Sequence, residues 1–219
     1  MNRKSVFLLL LCGVLSSCGG GQKLEIKDGF AVVTPVKANE AQATFAGGCF
    51  WAMQECMVEL EGVNKVISGY AGGRTNNPSY DQVLSKTTGH AESVLIYYDP
   101  AVISFEQLVG AFFNAHDPTQ VDRQGPDVGS DYRSIAFYRS VGEEQVIRKL
   151  ISAVNNSEAY QHPVATEIVS FEKFYPAEAE HQDYYRRNEW DFYIKNISKP
   201  KVMKMRKAVP ELLKSEYKD

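Results

Sequence analysis

Cysteine is scarce: the 219 residues hold four, Cys12, Cys18, Cys49 and Cys56, and none beyond position 56. Positive charge is not in excess either. There are 24 lysines and arginines against 27 acids, a formal net charge of −3, and no basic stripe, which argues against nucleic acid as a partner. The leading apolar run is too short to span a bilayer, and neither an internal repeat nor a long low-complexity run is present. What is there in quantity is apolar content, 44%, ample for a single sizeable core.

The leading stretch has the layout of an export signal: Arg3 and Lys4, an apolar segment over residues 6–11, then Ser16 and Ser17. Leu15-Ser16-Ser17-Cys18 resembles the bacterial lipoprotein box, in which the cysteine becomes the lipidated first residue; an ordinary signal peptide cleaved nearby is the other reading. The resemblance implies removal of residues 1–17 and acyl chains on Cys18. It further implies anchorage to a membrane, with the chain facing the periplasm or the cell exterior. Residues 18–40, opening on Gly19-Gly20-Gly21, then read as a flexible tether. Such processing leaves 22 basic against 27 acidic side chains, a charge near −5, and only Cys49 and Cys56 as thiols. Neither a disulfide framework nor a four-cysteine metal site can be built from two.

Cys49 stands in Gly47-Gly48-Cys49-Phe50-Trp51, between an expected strand and an expected helix. A helix N-terminus presents unpaired N–H groups and a positive dipole end, which favour thiolate over thiol, so the sequence predicts a reactive Cys49. The two glycines permit a sharp turn and a close backbone approach, and Phe50 and Trp51 offer an apolar wall beside the sulfur.

Further along, residues 63–70 and 91–98 read as strands, the second alternating Val94, Ile96 and Tyr98 against Ser93, Leu95 and Tyr97. Ser104 is placed to cap a helix over residues 105–115 with Leu108, Val109, Phe112 and Phe113 on its buried face. A strand over 133–139, a helix over 142–155, a strand over 166–171 and a helix over 177–187 follow. This mixed order predicts an α+β fold, helices packed on a mixed sheet as a two-layer sandwich and an elaboration of the ferredoxin-like pattern. The domain is expected over residues 41–197, with a basic helical tail over 198–219 interrupted at Pro210.

Several motifs now fall in one order: Gly48-Cys49-Phe50-Trp51, Gly69-Tyr70-Ala71-Gly72-Gly73, Tyr80, Gly89-His90-Ala91-Glu92, His116-Asp117-Pro118, Arg123-Gln124-Gly125, Asp127, Tyr132-Arg133-Ser134 and Glu178 to His181-Gln182. Together they resemble the A-type peptide-methionine sulfoxide reductases over roughly residues 43–190. The resemblance implies reduction of the S epimer of methionine sulfoxide, free or in proteins, with no bound cofactor or metal. It assigns Cys49 as nucleophile and Glu92 as the acid that protonates the departing oxygen. Tyr80 and Tyr132 match positions that hydrogen-bond the sulfoxide oxygen or Glu92, Asp127 helps fix the pocket, and Phe50 and Trp51 hold the S-methyl group.

The same resemblance implies a Cys49 sulfenic acid that a thiol must reduce. Many such enzymes carry recycling cysteines near the C-terminus; this chain has none, and Tyr193 falls close to where one is expected. Cys56 lies seven residues along the expected helix, about 10.5 Å up its axis, whereas a disulfide needs Cα atoms within roughly 7 Å. The reductant is therefore expected to be external, a thioredoxin-like donor or a membrane-linked relay, acting on a monomer. Two other classes stay open: a cysteine hydrolase using His90, His116, His162 or His181 as base, and a non-catalytic lipoprotein binding a metal or a partner.

Overall fold

In this computed structural model, residues 22–218 are described. Cys12 and Cys18, and with them the signal and lipidation expectations, lie outside those residues. A small hairpin, β1 (Ile26–Lys27) and β2 (Phe30–Ala31), comes first. Then follow β3 (Ala41–Gly47), α1 (Phe50–Val58), β4 (Val63–Ala71), α2 (Tyr80–Leu84), β5 (Ala91–Tyr98) and α3 (Phe105–Ala115). Two-residue strands β6 (Arg123–Gln124) and β7 (Asp127–Val128) form a hairpin ahead of β8 (Ser134–Tyr138) and α4 (Val141–Asn156). The chain ends with β9 (Glu167–Ser170), β10 (Phe174–Pro176), α5 (Tyr184–Arg187) and α6 (Lys199–Ala208).

Six strands make one sheet in the order β10-β4-β5-β3-β8-β9, antiparallel except where β9 joins β8 in parallel. Its four central strands, with α1 and α3 as crossovers, are the split βαβ of a ferredoxin-like unit, so the α+β two-layer expectation holds. Alternation explains the burial. Val94, Ile96 and Tyr98 of β5 enter the helix-covered core with Phe45, Phe50, Met57 and Phe112, while Leu95 and Tyr97 enter a second cluster with Ile67, Ile135 and Phe137. Glu92 shares the parity of Val94, which directs its carboxyl beneath α1.

The far face is partly covered by the stretch read as a tether. The Gln22 side chain exchanges hydrogen bonds with the backbone of Val66 at 2.7 Å each way, Ala31 is buried, and the Thr34 carbonyl accepts from the Tyr97 hydroxyl. Residues 22–40 are therefore laid on the sheet, because the apolar side chains of β4 and β5 on that face need a cover.

The helix expected over 177–187 is broken into a 3₁₀ turn, Ala179–His181, and α5. Asp183 between them adopts φ 51°, and Gln182 turns inward, its amide bonding Ser68 and Ala177 on the edge of β4. These tertiary bonds outweigh helix continuation.

After Pro200 the chain shares the main core: Val202 and Met205 of α6 are buried in it, and α6 ends before Pro210 as expected. Arg206 grips Glu59 through two bonds of 2.6 and 2.8 Å, and Glu59 is wholly buried at the end of α1. Arg206→Met strands that carboxylate, and we expect it to cost about 3 kcal/mol of stability in urea denaturation. An unchanged midpoint would show that α6 is not pinned through this pair.

Candidate active site

β3 delivers the chain to Gly47 and Gly48, and both positions refuse a side chain for steric reasons. A Cβ at Gly47 would lie 2.5 Å from Met53 Cε, and one at Gly48 would lie 2.5 Å from Gln124, where φ is also +84°. Gln124 is itself held by Asp117, whose N–H it accepts at 3.1 Å and whose carbonyl it donates to at 2.9 Å. Thus the His116-Asp117-Pro118 and Arg123-Gln124-Gly125 segments clamp each other against the turn.

Cys49 is the N-cap of α1 and is 6% exposed. The first free amide of the helix does not serve its sulfur: Phe50 N–H donates to Glu92 Oε2 at 2.9 Å. Glu92 is buried, and burial, followed by the neighbouring charges of Asp131 and Asp127, pushes its carboxyl up to about 8 against the pull of that hydrogen bond. At neutral pH it carries its proton.

The expectation that the helix terminus by itself ionises Cys49 is overturned. Burial first, and then the charge of Glu92, push the thiol well above its ordinary value; the Trp51 N–H, the Tyr193 hydroxyl and Lys201 pull the other way. Desolvation of a small anion outweighs the N-terminal dipole once one of the orphan N–H groups is spent elsewhere. Protonating Glu92 removes the second of the two raising causes, so the thiolate and the neutral acid belong to one state of the site.

The residues expected around this pair converge on it. Tyr80 opens α2, its N–H donating to Glu178 at 2.9 Å, and Tyr132 ends a 3₁₀ turn, Ser130–Tyr132. Burial and then Glu92 hold both phenols above the ordinary range, so both are neutral donors. Phe50 sits among Tyr70, Tyr80 and His181 at ring distances of 5.9, 6.3 and 5.6 Å, and Trp51 stacks on Tyr184 at 3.8 Å. Asp127, on β7, accepts from the Tyr193 hydroxyl at 2.5 Å and faces Lys201 at 3.8 Å.

Sequence reasoning missed three members of the constellation. Glu178 aligns Tyr70 and Tyr80, and its motif was visible although its task was not. Tyr193 drew notice as a position without cysteine, and Lys201 carried no signal at all. Cys56 is fully buried in the unbroken helix α1, so the axial separation from Cys49 stands.

Two of the four histidines are committed elsewhere, and His162 is exposed between α4 and β9. His90 bonds Gly73 and Thr75, and His116 bonds Phe112 and Ser134, kept neutral by burial with its pKa lowered to about 4. His181 lies under the aromatic wall, 4.2 Å from the Tyr80 ring. A buried cysteine beside a protonated acid, where a hydrolase would need an imidazole base, defines a thiol-dependent oxidoreductase.

Comparison with known proteins agrees. The family model described as peptide methionine sulfoxide reductase matches residues 41–212, and the chain belongs to that family. It is similar to the peptide methionine sulfoxide reductase MsrA of Natronomonas pharaonis, 44% identical over 80% of this chain and 98% of that one. It is also similar to the MsrA of Haloquadratum walsbyi, 48% identical over 78% of this chain and 97% of that one. Among solved structures, Mxr1 of Saccharomyces cerevisiae in reduced form superposes with a TM-score of 0.66 at 31% identity, covering 71% of this chain and 89% of that one. Methionine sulfoxide reductase A of Corynebacterium diphtheriae gives 0.64 at 30% identity, covering 71% of this chain and 78% of that one.

Proposed function

We propose that this protein reduces the S epimer of methionine sulfoxide, in proteins or free, with Cys49 as nucleophile and Glu92 as proton donor. One observation carries the reading: the buried Glu92 carboxyl accepts the Phe50 N–H at 2.9 Å, one residue from Cys49, where burial favours its protonated form. The Cys49 thiolate attacks the sulfoxide sulfur, forming an S–S bond, while Glu92 protonates the oxygen, which leaves as water; water then attacks the Cys49 sulfur, breaking the S–S bond and releasing the thioether. The net exchange is thiol plus sulfoxide to sulfenic acid plus thioether, Cys49 losing two electrons and the substrate gaining them. Phe50 and Trp51 take the S-methyl group, Tyr80 and Tyr132 direct hydroxyls at the oxygen, and Asp127 steadies the wall through Tyr193. Opposed apolar and donor surfaces let a site tell methyl from oxygen at a chiral sulfur.

Two equivalents of an external thiol, from a thioredoxin-like protein, then return the sulfenic acid to thiol, releasing water and a disulfide. The distance between Cys49 and Cys56 along one rigid helix supports an outside donor. The lipoprotein-like Leu15-Ser16-Ser17-Cys18 supports attachment by lipid on Cys18 and work outside the cytoplasm.

Separate sulfoxide epimers and a dithiol reductant test the whole reading. We expect turnover of the S epimer with at least about a hundredfold preference over R, the range a site built on polar contacts achieves. In the same assay, Cys56→Ala retains turnover with a thioredoxin-like protein as donor. Equal rates on both epimers would refute the substrate assignment, and loss of protein-driven turnover in Cys56→Ala would refute direct attack by the external thiol.

A further inference from the structure

Lys201 is out of place for an ordinary surface lysine. Its Nζ is buried and has no hydrogen-bond partner among the described residues, and its ion pair with Asp127, at 3.8 Å, is too long for a hydrogen bond. An ammonium carries three donors, and burying them unanswered is costly unless something arrives to accept them. The position is informative: Nζ lies 3.8 Å from where a Cβ of Gly48 would be, directly beside the residue preceding Cys49. α6 holds it there, since Val202 and Met205, one and four residues further along the helix, are locked into the core.

Tyr193 stands between the same partners. Its hydroxyl donates to Asp127 at 2.5 Å, its ring meets the edge of Trp51 at 5.8 Å, and its presence beside Cys49 pulls the raised thiol down. A phenol has one proton to give, so it can be handed from Asp127 to a sulfur anion without moving the ring.

We propose that the C-terminal segment completes the nucleophile's anion site, with Tyr193 hydrogen-bonding the Cys49 thiolate and Lys201 supplying the positive charge that a buried helix terminus alone does not. Asp127 is the resting partner of both. It holds the phenol and the ammonium in place while Cys49 is a neutral thiol, and releases donors toward the sulfur when that thiol ionises. The charged and titratable groups facing Cys49 are Glu92 from β5, Tyr80 from α2, Tyr132 and Asp131 from the 3₁₀ turn, Asp127 from β7, and Tyr193 and Lys201 from the C-terminal segment. Lys201 is the cation in that company, and its charge favours the ionised forms of both Cys49 and Glu92. In this proposal Tyr193 is the donor to the reacting sulfur, and Lys201 a positioning charge acting on it.

This inference deepens the reductase reading and rests on it, yet it is tested without any sulfoxide. The full chain is alkylated with iodoacetamide between pH 6 and 10, and the Cys49 peptide is followed by mass spectrometry. Lys201→Met should slow Cys49 alkylation about tenfold at neutral pH and move its pH profile up by about one unit, the effect of losing one close opposite charge. Lys201→Arg should restore most of the rate, and Tyr193→Phe should slow it severalfold in the same direction. A Lys201→Met profile superimposed on the wild type, in protein with unchanged circular dichroism, overturns the proposal. Should that variant fail to fold, Lys201→Gln is read by the same two outcomes. Sulfoxide turnover measured in parallel separates the two claims: shifted alkylation in a chain inactive on sulfoxides would sink the substrate reading and leave the anion site standing.

Discussion

Cys49→Ser is expected to lose turnover on methionine sulfoxide by at least about 10⁴-fold, the scale seen when an enzyme's nucleophile is deleted. Serine fits the space, so the fold survives, but an alkoxide is far harder to form than a thiolate and oxygen cannot be carried as a sulfenic acid. The surroundings sharpen the contrast. Burial already lifts the Cys49 thiol above its ordinary value, and a hydroxyl in the same desolvated position would stay protonated throughout the working range. The measurement is steady-state consumption of the S epimer with dithiothreitol, together with dimedone labelling after a single addition of sulfoxide. Wild type should acquire one label at residue 49, and the serine variant none. Substantial turnover by Cys49→Ser would remove the foundation of the proposed chemistry, since the only other described thiol, Cys56, is sealed in the core.

Glu92→Gln carries the second large effect. We expect the reductive step to fall by about 10²–10⁴, the usual contribution of a positioned proton donor. Glutamine keeps the size of the side chain and can still accept the Phe50 N–H, so the geometry of α1 is preserved while the transferable proton is lost. The pH dependence gives a separate check. With Glu92 pushed up to about 8, its proton is present at neutral pH and is lost as pH rises through that value. The single-turnover rate of the wild type should therefore rise with pH through neutrality, as the raised Cys49 thiol ionises, and level off above about pH 8, where further thiolate is offset by loss of the Glu92 proton, whereas the Gln variant should keep rising. A wild-type rate still climbing at pH 9, or a variant of undiminished rate, would mean that the proton comes from a tyrosine or from water.

The two expectations are coupled through one physical fact. Cys49 and Glu92 lie in the same dry recess, so the site does not readily hold both as anions. A neutral acid leaves the negative charge to the sulfur when the thiol ionises, which is the distribution that removal of oxygen from a sulfoxide requires. The Phe50 amide sits between the two residues' claims, and it is spent on the acid.

Much of this was readable in the chain before folding, and the reasons are local. β5 was legible to its end residues because period-two alternation runs from Ala91 to Tyr98 and Asp99-Pro100 stops it. α3 was legible because Ser104 caps its start and Leu108, Val109, Phe112 and Phe113 recur on one face. Cys49 was legible because two glycines before a thiol and two aromatics after it are unusual in any structural role. β10, only three residues long, offers no period to count, and Asp183 breaks a good helical pattern by taking a left-handed conformation that tertiary bonds to Gln54 and Gln22 stabilise. The stretch 22–40 read as a tether from the glycines that open it, and what holds it is contact made at Gln22, Ala31 and Thr34 with distant parts of the sheet.

Sequence alone predicted a reactive Cys49 and the order of strands and helices around it, because each depends on neighbours within a few positions along the chain; Glu92 as the acid came from the resemblance of the whole motif set. Only the tertiary structure decided that the thiol is protonated at rest, that Glu92 takes the first helix amide, and that Tyr193 and Lys201 belong to the site. Those depend on desolvation and on charges brought together from distant segments, and no spacing along a chain encodes how much water a folded recess excludes.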